Sequence, residues 1–264
     1  MVYTLITGAT GGLGKAFTKI CAKNDENLIL TARSIDSLND FKTELLSINP
    51  TIDIKTFACD LSSELSRKDL FNFIKENRLT IARLINVAGV DTQKAFELYS
   101  QSKLLFQTRV NLESVLDLTL FVINNRLTDT KLEILTISSL CGASPVPYFA
   151  VYSATKSALI TFMKAIRFEQ KGKNVTITTI LPGSIPTRPD IVEDIKKQGL
   201  QGRLSKKTPT FVAQKSLNAL KRRKSIYVPG FYNKIVYFFS KITPDCIAQK
   251  VLARKFSTKQ KDAF

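Results

Sequence analysis

Val2–Lys23, VYTLITGATGGLGKAFTKICAK, decides the fold. Its first six residues are a short apolar run, its middle is a glycine-rich turn, and Lys15–Lys23 follows with helical spacing. Strand, glycine turn and helix in this order form the setting in which backbone amides bind phosphate. Gly8 permits the tight bend, Gly12 lets backbone approach a pyrophosphate, and Gly14 lets the helix pack closely on the strand. The spacing G-x-x-x-G-x-G differs by one residue from the commoner G-x-G-x-x-G.

The alternation continues downstream. Strands are expected at Asn27–Ala32, Ile52–Ala58, Arg83–Val87, Lys131–Ser138, Asn174–Leu181 and Ser225–Val228. Helices are expected at Ile35–Ile48 (stopped by Asn49-Pro50), Glu64–Asn77, Lys103–Asn125, Ala150–Gln170 and Pro209–Arg223. Residues 91–101 give no pattern. This succession predicts an α/β Rossmann fold: one doubly wound parallel sheet with helices on both faces. It fills a single domain, residues 1–230, with a basic and aromatic helical extension of that domain at residues 231–264. Residues 183–207, broken by Pro182-Gly183 and rich in basic residues, read as a mobile substrate lid over the strand ends.

Composition narrows the chemistry. The 264 residues are 44% hydrophobic and 23% charged, as in a globular protein. The chain has no histidine, which removes His-based triads and HExxH zinc sites. Cys21, Cys59, Cys141 and Cys246 lack metal-ligand spacing, so no metal is expected and a reducing cytoplasm is. No apolar run reaches the length of a membrane span, and the N-terminus reads as a first strand rather than a signal peptide. Acid–base chemistry must come from Tyr, Lys, Asp or Glu. The net charge of +17 is uneven: from Lys196 onward there are 17 Lys or Arg against 2 acids, leaving 22 against 20 before it. That asymmetry fits an anionic partner or a solvated lysine-rich surface. No recognition motif accompanies the charge, so nucleic acid is not expected.

Tyr152 and Lys156 lie four residues apart and share a helix face. An ammonium one turn from a phenol favours phenolate and would lower the tyrosine pKa towards working range. Ser139, thirteen residues before the tyrosine, closes a strand, where its hydroxyl can meet a substrate oxygen. Arg33, after the second strand, suits a 2′-phosphate or is a plain loop cation. Asp60 ends the third strand, as an acceptor for an adenine amino group or a turn residue. Gly89 lets backbone pass a cofactor ribose or makes a turn. Asn111, inside a long helix, is mildly unfavourable there and reads equally as an ordinary surface residue.

Taken in order, TGATGGLG at Thr7–Gly14, NVAG at Asn86–Gly89, Ser139, YSATK at Tyr152–Lys156 and Pro182-Gly183 resemble the short-chain dehydrogenase/reductase family over roughly residues 1–230. The resemblance implies an NAD(P)-dependent oxidoreductase passing hydride between nicotinamide and a carbonyl or alcohol. Tyr152 would be the general acid in reduction, and Lys156 would lower its pKa and hold the nicotinamide ribose. Ser139 would orient the carbonyl, and Asn111 would hold a water of a proton relay. Cofactor contacts would come from Thr7, Gly8, Thr10, Gly12, Leu13 and Gly14 of the turn, then Arg33, Ser34, Asp60 and Leu61. Asn86, Ala88, Gly89, Tyr152, Lys156, Pro182, Gly183 and Thr187 would complete them. NADP rather than NAD rests on Arg33 alone, because Gly11 stands where many NADP-preferring members carry a basic residue.

The family also implies a homodimer or homotetramer, paired through Lys103–Asn125 and Ala150–Gln170. The expected substrate is a small apolar or acyl ketone. The extension, Phe231–Lys241 and Pro244–Phe256, reads as two short helices that pack over the cleft or at a subunit interface, or else make weak contact with an anionic membrane. The alternative to an enzyme is a catalytically silent nucleotide-binding scaffold or peripheral membrane protein. A complete Ser139, Tyr152 and Lys156 set stands against it.

Overall fold

The computed structural model describes residues 1–127, 130–197, 199–257 and 261–262. Residue 198 of the expected lid, and 258–260 and 263–264 of the expected extension, lie outside them. The strands are β1 (Val2–Thr7), β2 (Asn27–Ala32), β3 (Ile54–Ala58), β4 (Thr80–Asn86), β5 (Thr92–Gln93), β6 (Leu132–Ile137), β7 (Val175–Ile180), β8 (Ile226–Tyr227) and β9 (Lys261–Asp262). The first helices are α1 (Gly12–Lys23), α2 (Ile35–Ile48), α3 (Glu64–Glu76), α4 (Gln101–Thr108), α5 (Ser114–Asn124) and α6 (Ala150–Glu169). They are followed by α7 (Pro189–Lys197), α8 (Gly199–Ser205), α9 (Pro209–Lys221), α10 (Phe231–Ile242) and α11 (Asp245–Phe256).

Seven strands form one sheet in the order β3-β2-β1-β4-β6-β7-β8, with every neighbouring pair parallel. A parallel sheet covered on both faces needs apolar side chains on both, which is why its strands are nearly continuous apolar runs. In β2, Leu28 and Leu30 join one core with Phe17, Leu38 and Val212 of α1, α2 and α9. Between them Ile29 points the other way, into the core with Leu70, Leu118 and Leu159 of α3, α5 and α6. The two cores are the two faces of the sheet.

Local chemistry fixes the element ends. Ser34, Ser63 and Thr208 cap α2, α3 and α9 by accepting from Ser37, Ser66 and Phe211 amides. The helix α1 differs: its cap is Gly11, with no side-chain bond. Its first amides are therefore left for another acceptor.

Three features depart from the expected pattern. The single helix expected over Lys103–Asn125 is α4 and α5 joined by a π-helical turn, Arg109–Glu113, with Asn111 at its centre. Residues 91–101 contain β5, a 3-10 turn at Phe96–Leu98 and the Ser100 cap of α4. The strand β5 pairs antiparallel with β9, Thr92 opposite Asp262 and Gln93 opposite Lys261. The expected lid holds α7 and α8, and α8 packs against α10. Among the described residues no helix is long and apolar enough to cross a membrane.

Candidate active site

The chain runs from β1 outward to β2 and β3, then returns to the other side of β1 as β4. Loops leaving the carboxyl ends of β1 and β4 diverge at this switch and leave a crevice between them. The sequence builds the crevice tightly. Gly8 has φ +62°, and a Cβ there would sit 3.0 Å from the Cα of Ala88. Thr7 sits behind them, its buried Oγ1 accepting from the amides of Val87 (3.1 Å) and Ala88 (3.2 Å). A side chain on Gly14 would overlap the Gly8 carbonyl, so the turn can press onto α1 only with glycine at that position.

The resulting cleft holds about 350 Å³. Gly8, Thr10, Gly12, Leu13 and Gly14 line it at the turn, where the uncapped end of α1 opens. Arg33, Asp60 and Leu61 line it on the β2–β3 side, and Ala88, Gly89 and Thr187 on the other. Thr187 faces the turn so closely that a Cβ on Gly12 would lie 2.9 Å from its own Cβ. Arg33 is exposed and makes no ion pair among the described residues. Asp60 also serves its turn, one carboxylate oxygen accepting from the Ser62 amide (2.9 Å) and hydroxyl (2.7 Å). Ser34 is taken up in capping α2. Asn86 is buried behind the cleft, its Nδ2 donating to Thr136 Oγ1 at 3.2 Å. Gly183, after Pro182, faces Ser205 of α8 and Asn233 of α10 rather than the cleft lining.

Open helix amides, a glycine cradle and a free guanidinium at one end fit the phosphates of a dinucleotide. Among the described residues, no three His, Cys, Asp or Glu are grouped to hold a metal.

The second half of the site meets the first at Gly89. A Cβ there would lie 3.2 Å from Lys156 Nζ and 3.4 Å from Asn111 Oδ1. Asn111 is fully buried: Oδ1 accepts from the Val90 amide at 2.8 Å, while Nδ2 donates to the Val90 carbonyl at 2.8 Å and Thr155 Oγ1 at 3.3 Å. It is no ordinary surface residue. The π-turn rotates it inward, where it clamps the Gly89–Val90 backbone against α6. Lys156 is also buried, its ammonium donating to the Ile137 carbonyl at 3.0 Å. Burial lowers its pKa to about 8, against a raising effect of Asp91.

Ser139 stands just beyond β6. Amides on either side of it, Ser138 and Leu140, donate to Ile180 (2.8 Å) and Pro182 (3.1 Å), carrying the β6–β7 pairing past the strands. Its Oγ accepts from the Cys141 amide at 3.1 Å, leaving its own hydrogen to donate. Tyr152 lies in the first turn of α6, with Phe149 stacked on its ring at 4.4 Å and 19°. Tyr148, with φ +61°, turns the chain to present that phenylalanine. Phe256, at the end of α11, lies 6.2 Å from Phe149 on ring centroids.

The tyrosine pKa moves opposite to the expectation. Burial raises it well above the ordinary phenol value, with Cys141 and Asp91 adding to the rise and Ser139 and Arg188 opposing it. Lys156, 5.7 Å from the ring centre, does not outweigh burial. The phenol is therefore protonated at neutral pH, the state a proton donor needs, and burial makes it hold that proton more firmly.

Three residues at the site had no distinct signal in the sequence. Arg188 lines the cleft and pairs with Asp91 (2.9 Å) and Asp190 (3.1 Å), closing the rim between the loop after β4 and the start of α7. Asp91 and Arg188 are 97 positions apart, so no local pattern links them. Phe149, the third, precedes the helix like any apolar residue.

The sequence profile of the short chain dehydrogenases matches residues 3–198. Very-long-chain 3-oxoacyl-CoA reductase of Bos taurus is 31% identical over 194 residues, covering 70% of this chain and 60% of that protein. The Mus musculus protein of the same name is 28% identical over 261 residues, covering 90% and 80%. Mus musculus 17-beta-hydroxysteroid dehydrogenase type 3 is 29% identical over 191 residues, covering 70% and 60%. This chain thus spans about three fifths of the length of two of these three relatives. Among solved structures, a 7beta-hydroxysteroid dehydrogenase superposes with a TM-score of 0.81 at 20% identity, covering 96% of each chain. L-sorbose reductase from Gluconobacter frateurii, complexed with NADPH and L-sorbose, gives 0.78 at 21% identity, covering 88% of this chain and 96% of that one.

Proposed function

The chain belongs to the short-chain dehydrogenase family, and we propose that it is an NADPH-dependent reductase of an apolar or acyl ketone. The observation that carries this reading is the grouping of Tyr152 with Ser139 and with Lys156, whose ammonium lies 5.7 Å from the tyrosine ring centre and reaches Gly89 on the wall of the glycine-turn cleft. When bound, the reduced nicotinamide supplies the hydride. Tyr152 holds the proton for the carbonyl oxygen, and burial keeps it on the phenol until the oxygen becomes basic enough to take it. Ser139 donates to the same oxygen and fixes its direction. Lys156, charged at neutral pH, then stabilises the phenolate left behind, and Asn111 holds the Gly89–Val90 backbone in place around it.

Gly8, Gly12 and the open amides of α1 would hold the pyrophosphate, and Arg33 the 2′-phosphate that distinguishes NADPH. Phe149, stacked on Tyr152, and Phe256 behind Phe149 favour an apolar substrate. The reductases of very-long-chain 3-oxoacyl-CoA among the relatives add weight to an acyl ketone. Basic residues of the lid, Lys196, Lys197, Arg203, Lys206 and Lys207, would draw an anionic group on that substrate. Exposed Leu120 of α5 and Phe168 of α6 support pairing of subunits through those helices as a homodimer or homotetramer. The free thiols of Cys21, Cys59 and Cys246 suit a cytoplasmic setting.

The test is a fluorescence titration with NADPH, NADP, NADH and NAD, repeated on Arg33→Ala. A guanidinium–phosphate contact of about 1.5–3 kcal/mol predicts roughly 10- to 100-fold weaker NADPH binding with NADH unchanged. Equal loss for both cofactors would remove the NADP preference. No binding of any of the four by the wild type would overturn the reading itself.

A further inference from the structure

The helix α10 is fastened to the domain by its polar side. Asn233 is fully buried, and its Nδ2 donates to the carbonyls of Pro229 (2.8 Å) and Ser205 (3.0 Å). Tyr237, one turn on, packs against the cluster of Ile160, Leu181 and Val228. On the opposite face Phe231, Ile235, Phe238, Phe239 and Ile242 follow helical spacing, and they are 39% to 79% exposed. A surface helix ordinarily turns its apolar stripe inward, and this one turns it out. The next helix, α11, continues the pattern with exposed Ile247 and Val251, four residues apart. A contiguous face of this kind marks an interaction site.

Charge identifies the partner. Residues 231–256 carry five Lys or Arg (Lys234, Lys241, Lys250, Arg254, Lys255) against one acid, Asp245. Lys234 and Lys241 flank the phenylalanine stripe, their ammonium groups lying over the rings of Tyr227 (5.6 Å) and Tyr237 (5.4 Å). A second copy on this face would set like charges against each other, which is unfavourable. An apolar partner protein would leave the lysine rim uncompensated. An anionic bilayer answers both features: its acyl boundary takes phenylalanine and isoleucine, and its headgroups take lysine and arginine. Neither helix is long or apolar enough to cross, so the contact lies in the plane of the interface. We propose that α10 and α11 form a docking face for the surface of an anionic phospholipid bilayer. Phe256, at the end of α11, reaches Phe149 beside Tyr152, so a docked molecule holds its catalytic site close to the lipid. The proposal is independent of the chemistry at Tyr152.

The experiment is sedimentation of the full chain with vesicles of equal parts phosphatidylcholine and phosphatidylglycerol, and with pure phosphatidylcholine. The wild type is expected to partition to the anionic vesicles and to stay in solution with the neutral ones. Lys234→Gln with Lys241→Gln, at about 1 kcal/mol per interfacial charge, should weaken partitioning roughly 30-fold. Phe238→Ser with Phe239→Ser removes exposed side chains only, and should weaken it about tenfold or more. Sedimentation equilibrium of the phenylalanine variant should give the wild-type mass. Wild type that fails to sediment overturns the proposal. So does a phenylalanine variant that sediments like wild type, since adhesion would then be charge alone. A drop in that variant's mass overturns it too, by showing that a second copy covers the face.

Discussion

Replacing Lys156 by Met should stabilise the protein at neutral pH. The ammonium is buried and, among the described residues, donates one hydrogen bond, to the Ile137 carbonyl at 3.0 Å. Its pKa falls from 10.5 to about 8, chiefly through burial. Below that value both folded and unfolded chains carry the proton, and the whole cost of burying the charge is present. At about 1.36 kcal/mol per pH unit, that cost is about 3 kcal/mol. Between about pH 8 and 10.5 the unfolded chain binds more protons than the folded one, so stability rises with pH until the cost is gone. Methionine fills the space without a charge but strands the carbonyl, a loss of about 1 kcal/mol. The variant should therefore be about 2 kcal/mol more stable than wild type at pH 7 and about 1 kcal/mol less stable near pH 10.5. The chain has no tryptophan, and tyrosines themselves titrate near pH 10. Urea unfolding is best followed by far-ultraviolet circular dichroism at several pH values, taking the difference between the two proteins at each. A difference that does not vary with pH, or a variant less stable at pH 7, would refute the account of Lys156 as a buried charge.

Other consequences can be checked alongside it. Tyr152→Phe keeps the ring stacked on Phe149 but removes the proton donor. It should cost roughly 10²- to 10⁴-fold in kcat on any ketone the wild type reduces, with NADPH binding retained. Gly14→Ala would drive a methyl group into the Gly8 carbonyl. It should abolish nucleotide binding in the same titration and destabilise the chain by about 1–3 kcal/mol in urea unfolding. Arg67 is almost fully buried, donating to Asp117 (2.7 Å), Glu113 and the Leu61 carbonyl (2.8 Å). Because both carboxylates stay partly in water, Arg67→Met should cost about 2–3 kcal/mol, below the value for a wholly buried pair; a change under about 0.5 kcal/mol in urea unfolding would contradict that.

Much of the architecture was legible because its signals are local. The apolar run of β1, the glycine turn and the helical spacing after it sit within one short stretch, and β-branched runs such as Val175–Ile180 mark their strands without outside help. Tyr152 and Lys156 were readable for the same reason, being one helical turn apart. What escaped depends on contacts between distant segments. The π-turn at Arg109–Glu113 has no composition of its own, and it forms where Asn111 finds Val90. A two-residue strand such as Thr92–Gln93 is too short for any period and exists only through its partner at Lys261–Asp262. The direction of the Tyr152 pKa also could not be read: the sequence places an ammonium nearby, but only the folded chain reveals that burial outweighs it.

The π-turn also has a mechanical meaning. A π-turn closes over five residues where an α-turn closes over four, so it takes up one surplus residue and lets α5 continue from α4. Across it, α4 packs against α6 and α5 against β4. Deleting a single residue between Arg109 and Glu113 would restore an ordinary ladder and leave the two halves in phase. Asn111 would swing away from Val90, while Ser139, Tyr152 and Lys156, which sit on other elements, would keep their places. The turn is thus a natural cut-point, at which the clamp on the Gly89 loop can be removed without altering a single group that would touch the substrate.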